Sequence, residues 1–513
     1  MHTRIFYFLI LLLPFQFIRA QDDTLKIISG NDSGNPIKDS LHNFPRAYQY
    51  LWLGSLYKNR ISNLKSLLDN SEELGLNPED YENQFSKLSA GISGQILGTA
   101  DSLRADIGYT DLAIHFFRDI ALGNKPEKFS FDGLQYVPPE MEIANKVVSG
   151  LAHGAALADM VTAFEPADAS YRSVKKLLQQ YLQLSREEGF QDLRVGPATG
   201  KEEWKEQLWN RFVQLGIVQR DSEPASVTDL GSAVRHAQNF FGQLEDGVVH
   251  PSLLKALNLP LKDREVSLKR TLNSLRWQNS LKKAGDLLVV NIPSASLELF
   301  DSGKIILESR IIAGKKSTPT PLVSGKITEV ILYPYWNVPY SIATREFLPA
   351  IKRSVSFLTA NNFQVLDSKG RVVNPYQVDW QSLSAGHFPY YIRQSTGCDN
   401  SLGLIKLNFY NPFNVYLHDT PVKMLFSSSS RFFSHGCMRV EKAGEVARYL
   451  LKSNAIAVDT LTEKGCLKNQ HPILVPVMVA TPVLVLYQTA WADAGGRVRF
   501  FEDIYQRFPK SGK

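Results

Sequence analysis

A cysteine thiol becomes a nucleophile when an adjacent base or positive environment yields the thiolate, and a neighbouring glycine lets substrate and backbone approach closely. The run Phe433-Ser434-His435-Gly436-Cys437-Met438-Arg439-Val440 supplies these elements together. A second histidine stands in Val415-Tyr416-Leu417-His418-Asp419-Thr420-Pro421, where alternating apolar residues predict a strand that carries His418 to its end. Sixteen residues separate His418 from His435, enough for a loop returning the chain to an adjacent strand, so His418 is expected beside Cys437 as its base. An imidazolium there would depress the thiol pKa. Val440, Ala443, Val446, Ala447, Leu450 and Leu451 recur at helical spacing and predict a helix starting just beyond the thiol, whose amides could form an oxyanion hole. Taken singly, each residue has a plainer reading: His435 can order a loop, and a buried cysteine can be a small apolar residue. The combination points to thiol-based covalent catalysis.

The segments YLHDTP and SHGCMRV at this interval resemble the signature of the L,D-transpeptidase family. The run from Asn400 to Pro421 and the tail from Pro482 to Tyr505 resemble the family's long Gram-negative form, with a helical scaffold domain, a peptidoglycan-binding module and a lid within the catalytic domain. By position, the resemblance implies Cys437 as nucleophile, His418 as general base, and the backbone carbonyl following His418 as the group that orients its imidazole. Arg439 would hold a donor-stem carboxylate, and Tyr416 and Trp336 would wall the pocket. Ser434, His435 and Gly436 would complete the substrate-binding loop. No cofactor or metal is implied.

The reaction implied is acyl transfer between peptidoglycan tetrapeptide stems, donor and acceptor. Cys437 would form a thioester with release of D-alanine, and an amine of a second stem would resolve it into a 3-3 cross-link, placing the chain in peptidoglycan synthesis, cell wall biogenesis and cell shape. Water in place of the amine would make an L,D-carboxypeptidase, and a dead site would leave a peptidoglycan-binding scaffold. The intact His418 and Cys437 speak against a dead site. Thr396-Gly397-Cys398-Asp399-Asn400-Ser401-Leu402-Gly403 departs from the family's usual Pro-Asn-Ala-Leu-Gly, which bears on the pocket rim.

The elements around this motif predict an α+β multidomain chain. Residues 43–195 read as a helical scaffold domain: Leu112, Ile114, Phe117 and Ile120 share a helical face, and Met141 to Met160 reads as one helix. Residues 196–260 suggest a small separate three-helix module, resembling the peptidoglycan-binding module through AVRHAQNFFG, DGVV and LLKALN. It either binds glycan or braces the fold. A linker helix is expected over 261–285 and a mainly β catalytic domain over 286–505, with a hairpin turn at Asp301-Ser302-Gly303. The aromatic-rich stretch from about 337 to 396 is too long for an ordinary connection and reads as a lid or substrate platform. Ile473 to Tyr487, interrupted by Pro476 and Pro482, reads as paired buried strands.

Over 513 residues, Lys and Arg exceed Asp and Glu by only 57 to 51, with no dense basic run or zinc-type cysteine pattern, which argues against a nucleic-acid partner. Residues 1–20 combine a short positive start, an apolar stretch and Ala20 before a polar run. This pattern predicts a cleaved signal peptide, with an uncleaved anchor as the alternative, and so export to the periplasm and association with the cell wall. Residues 21–42 read as a flexible leader. Protein partners are not indicated. Export tends to pair thiols, which leaves Cys398 and Cys466 as candidates for a disulfide while Cys437 stays free.

Overall fold

The structure, a computed structural model, describes residues 50–53, 59–92, 98–196, 201–219, 227–452, 458 and 470–509. The expected signal peptide, the leader and Cys466 lie outside the described residues. Two compact units emerge, Met1–Lys125 with Pro138–Ala167, and Pro126–Val137 with Asp168–Lys513.

The first unit is helical, with α1 (Arg60–Asp69), α2 (Glu79–Ile92), α3 (Thr99–Leu122), α4 (Glu140–Ala152) and α5 (Leu157–Phe164). Leu112, Phe117 and Ile120 on α3 are buried as their spacing requires, and Asp106 accepts from the backbone N–H groups of Leu51, Trp52 and Leu53 at 2.9, 2.7 and 3.0 Å. The single helix expected over Met141 to Met160 is two, because Gly154 takes φ +77° and ends the first.

In the second unit come α6 (Ala169–Ser185), α7 (Lys201–Gln214), α8 (Val227–Phe240), α9 (Pro251–Leu257) and α10 (Leu261–Ala284). The module expected as separate shares one core with its neighbours: Leu208, Phe212, Ala237 and Leu253 pack with Val174 and Leu178 of α6, Leu268 and Leu272 of α10, and Phe500 near the C-terminus. Helix α6 therefore belongs with this core, not with the helices before it as a boundary at 195 would require. Helix α10 is a core element rather than a linker, burying even Arg264, Glu265 and Arg276.

The β region is built on β1 (Phe131–Asp132), β2 (Leu287–Asn291), β3 (Ser296–Asp301), β4 (Lys304–Gly314), β5 (Val323–Leu332), β10 (Ile405–Phe409), β11 (Leu417–His418), β12 (Phe432–Ser434), β13 (Met438–Val440) and β14 (Ile473–Leu486). They form one sheet in the order β1-β5-β10-β11-β13-β4-β3-β2-β14, with β12 on β4. Strand β14 also pairs with β5, so the sheet closes on itself around an apolar interior that includes Leu407, Leu417, Met438 and Val446. The hairpin turn falls where expected, Asp301 pairing with Lys304 while Ser302 and Gly303 take positive φ of 48° and 85°. Ile473 to Leu486 is one strand rather than a buried pair. Its register on β5 shifts between Pro476 and Thr481, at a proline that cannot donate to the ladder, and Leu474 before the shift and Met478 within it are exposed.

The segment expected as a lid has its own small sheet, β6 (Trp336–Asn337), β7 (Phe363–Leu366), β8 (Val372–Val373) and β9 (Tyr391–Gln394) in the order β6-β9-β7-β8. Helices α11 (Leu348–Arg353) and α12 (Ser356–Ala360) join it, and Ile351, Leu358, Trp380 and Ile392 form a core of the lid's own. It is a folded subdomain. No helix among the described residues is long and apolar enough to cross a membrane.

Candidate active site

Strand register assembles the site. On β10 and β11, Lys406 pairs with His418, and on β11 and β13, His418 pairs with Arg439. Lys406, His418 and Arg439 therefore stand in one row across three adjacent strands. Because side chains alternate, Leu407, Leu417 and Met438 point the other way into the apolar interior. Two residues before His418 and Arg439, and so on the same side as the row, stand Tyr416 and Cys437. The fold thus brings His418, Cys437, Tyr416 and Arg439 onto a single face.

His418 is 5% exposed. The Asp419 backbone carbonyl accepts from its Nδ1 at 2.5 Å, which is the orienting carbonyl that the resemblance implies. Burial, followed by the charge of Arg439, pushes its pKa down to about 3, with Lys406 acting in the same direction, against carbonyls of Asp419 and Leu402 that favour the protonated ring. At neutral pH the imidazole is uncharged.

The thiol differs from the sequence expectation. Burial pushes the Cys437 pKa up, against hydrogen bonds from the Tyr416 backbone and hydroxyl and the positive charges of Lys406 and Arg439. With His418 neutral, no imidazolium is present to depress it. The sulfur lies 3.8 Å from the Asn414 carbonyl oxygen, and among the described residues no hydrogen bond joins Cys437 to His418. Tyr416 bridges the two, its ring centroid 5.7 Å from that of His418 and its hydroxyl on the thiol. Its own pKa is well raised, mainly by burial.

The residues of the loop before the thiol hold its shape. Ser434 Oγ donates to the Cys437 carbonyl and accepts from Gly436 N–H at 3.1 Å, so its hydroxyl is engaged within the turn. Gly436 takes φ +116°, a conformation other residues resist, and its carbonyl accepts from Thr320 Oγ1 at 2.9 Å. His435 points to the lid, with Nε2 2.8 Å from Glu346 and 3.3 Å from Lys315 Nζ. Trp336 lies on lid strand β6, 6.0 Å from the rings of both Phe347 and Phe363, in the lid's aromatic cluster.

The predicted helix α13 (Ala443–Leu451) begins six residues past the thiol because β13 intervenes. Met438 N–H is engaged with the Tyr416 carbonyl at 3.0 Å, so the oxyanion site expected from that helix does not form there. Cys437 is free and Cys398 is disulfide-bonded. No cluster suited to a metal ion occurs among the described residues.

Sequence reasoning missed three contributors: Lys406, Asn414 and Glu346. Only Lys406 left a signal, as the outward residue between Ile405 and Leu407 on a strand leading towards His418.

Comparison with known proteins agrees with this architecture. Residues 285–485 match a family model described as the L,D-transpeptidase catalytic domain, and residues 44–178 match one described as the scaffold domain. A Haemophilus influenzae protein named "Putative L,D-transpeptidase" is 37% identical over 245 residues, covering 48% of this chain and 49% of that protein. The match therefore spans about half the length of that relative. An L,D-transpeptidase from Mycobacterium smegmatis, at 14% identity, covers 39% of this chain and 58% of its own with a TM-score of 0.18. The L,D-transpeptidase of Xylanimonas cellulosilytica, also 14% identical, covers 58% and 97% with a TM-score of 0.17. Likenesses that weak add nothing to the assignment. The sequence matches carry the likeness: residues 285–485 are similar to the L,D-transpeptidase catalytic domain and residues 44–178 to the scaffold domain that precedes it.

Proposed function

We propose that the protein is an exported transpeptidase that forms 3-3 cross-links in the peptidoglycan of the cell wall, working in the periplasm. The observation that carries this reading is the free thiol of Cys437 on one sheet face with a neutral, oriented His418, in a domain that matches the L,D-transpeptidase model.

In the first step His418 takes the thiol proton as sulfur attacks the carbonyl carbon of the third residue of a tetrapeptide stem. The C–N bond to the fourth residue breaks, the imidazolium returns the proton to the departing nitrogen, and D-alanine leaves a thioester on Cys437. In the second step a side-chain amine of another stem attacks the thioester carbon and gives its proton to His418. The C–S bond breaks and the thiol is restored. The imidazole is uncharged and so has a nitrogen to take the proton, and an anionic donor beside Arg439 would raise the basicity that burial and the neighbouring cations lower. Arg439 supplies a cation for a donor carboxylate, and Tyr416 supports the sulfur.

The test is incubation of the mature protein with defined tetrapeptide muropeptides, followed by mass spectrometry. Cross-linked dimer and a mass increase on Cys437 are expected, and Cys437→Ala should show neither while remaining folded. Dimer formation by the Cys437→Ala variant would refute the reading. Tripeptide without dimer would instead make the protein a carboxypeptidase.

A further inference from the structure

Lys406 has no place in the roles assigned so far. Its ammonium lies 4.2 Å from the centroid of the Tyr416 ring, half-buried within the site. Among the described residues it makes no hydrogen bond or ion pair, and neither does Arg439 at the other end of the row. Glu329, the carboxylate that acts on Lys406 electrostatically, instead accepts from Asn408 Nδ2 at 2.6 Å. A cation withdrawn from water costs stability unless an anion or hydrogen bonds compensate it. Two such cations flank His418, beside the thiol, with no protein carboxylate bonded to either.

We propose that Lys406 is a second carboxylate-binding residue of the donor site, set across His418 from Arg439, so that the site selects peptides carrying a carboxylate on each side of the bond to be cleaved. This rests on the acyl-donor reading above and adds a substrate requirement to it. Adjacent strands lie ~4.8 Å apart, which puts the two cation-bearing backbones roughly 10 Å apart across the row. Extended peptide advances ~3.4 Å per residue, so carboxylates on residues two apart, each on a short arm, can span that interval. A tetrapeptide stem has them: the free α-carboxylate of a γ-linked second residue, and the terminal carboxylate of the leaving D-alanine. Filling both positions would also offset the two charges that add to burial in lowering the His418 pKa, easing its acceptance of the thiol proton.

The experiment uses the full chain and three synthetic disaccharide tetrapeptides: one with both carboxylates free, one amidated at the second residue, and one amidated at the terminus. Calorimetric binding is measured with Cys437→Ala, which cannot react, alone and combined with Lys406→Met, Lys406→Arg or Arg439→Met. Each amidation should weaken binding to the Cys437→Ala protein by ~10- to 100-fold, the range for a charge-assisted contact. Lys406→Met should abolish sensitivity to one amidation and keep sensitivity to the other, Arg439→Met should do the reverse, and Lys406→Arg should retain both. A packing role for Lys406 would instead weaken all three ligands equally.

Equal sensitivity of Lys406→Met and its parent to both amidations would overturn the proposal. Thioester formation by the Cys437 protein is followed separately by intact mass. Selective binding without thioester would leave the carboxylate cradle standing and sink the transpeptidase reading. Thioester with uncoupled binding would do the opposite.

Discussion

Two lysines in this molecule, one buried and one half-buried, sit over aromatic rings, and they differ in what surrounds them. Lys282, at the end of α10, lies 4.4 Å from the Phe300 ring, and Lys406 lies 4.2 Å from that of Tyr416. Burial depresses both pKa values. Lys282, however, is acted on by the carboxylates of Asp168 and Glu298, and Glu298 is itself fixed by Trp491 Nε1 at 2.7 Å. Lys406 faces the Cys437 thiol and a glutamate already engaged by Asn408. Two carboxylates of the fold act on the first lysine, though neither is bonded to it among the described residues. The second, with Arg439, is left for something that arrives. A buried charge with its counter-charge in place reads as structure, whereas one without it reads as a site.

The largest effect should come from the uncompensated row. His418→Ala is expected to cut turnover by ~10²- to 10⁴-fold, the usual weight of a positioned base. Because the imidazole stays neutral down to about pH 3, the wild-type rate should rise with pH towards ionisation of the thiol with no inflection near 6.5. Steady-state rates between pH 5 and 9 check both points. An acid limb centred near 6.5 would show that His418 titrates as an ordinary histidine and that the cations do not act on it.

The compensated pair should answer in stability instead. Burial raises the Glu298 pKa to about 7, against roughly 4.3 unfolded. Between those values the folded state binds more protons than the unfolded one, so wild-type stability falls as pH rises through that window. Glu298→Gln has no such dependence. Relative to wild type it should gain on the order of 3 kcal/mol from pH 4 to pH 8, with turnover unchanged within about twofold. Denaturant midpoints at the two pH values measure this, and a difference that does not move would break the contrast drawn here.

How the thiol ionises sharpens the comparison further. Burial outweighs the helpful groups around Cys437, so iodoacetamide alkylation should reach half its plateau above pH ~8.5, where an unperturbed thiol is half ionised. Lys406→Met should move that midpoint higher still and slow alkylation at fixed pH by about two- to tenfold, since one of two nearby positive charges is gone. Lys282→Met should not change it, since the charges that act on the sulfur are those of Lys406 and Arg439. A midpoint below that of a free thiol would restore the thiolate and imidazolium pair expected from sequence.

That expectation shows where sequence reading stopped. The segments YLHDTP and SHGCMRV were legible because a nucleophile, a base and a flexible glycine must be particular residue types, and alternation alone placed His418 on a strand. The hairpin at Asp301-Ser302-Gly303 was legible because positive φ at consecutive positions leaves few choices. The protonation state of His418 was not, since its neighbours Lys406 and Arg439 come from two other strands and meet it only through register. The start of α13 was misplaced because Val440 fits both a helical face and the alternation of β13. The independence of residues 196–260 was overestimated because amphipathic faces tell that a helix packs, not what it packs against.

The smallest effect concerns a third kind of charge, exposed and already paired. Glu346 in the lid lies 2.8 Å from His435 Nε2, with side chains 48% and 35% exposed. Water screens such a pair, so Glu346→Gln should cost no more than about 1 kcal/mol in stability. The contact nevertheless connects the lid to the turn that carries the thiol, and the amide keeps a hydrogen-bonding group in reach of the ring. Glu346→Gln should therefore change KM for a muropeptide donor by no more than about threefold, and Glu346→Ala somewhat more. In neither variant should kcat or the iodoacetamide profile move, since the contact touches neither His418 nor the cations beside it. Were Glu346→Ala to lower kcat as deeply as His418→Ala, the lid contact would belong to the chemistry, and the division between paired and unpaired charges would not separate structure from function here.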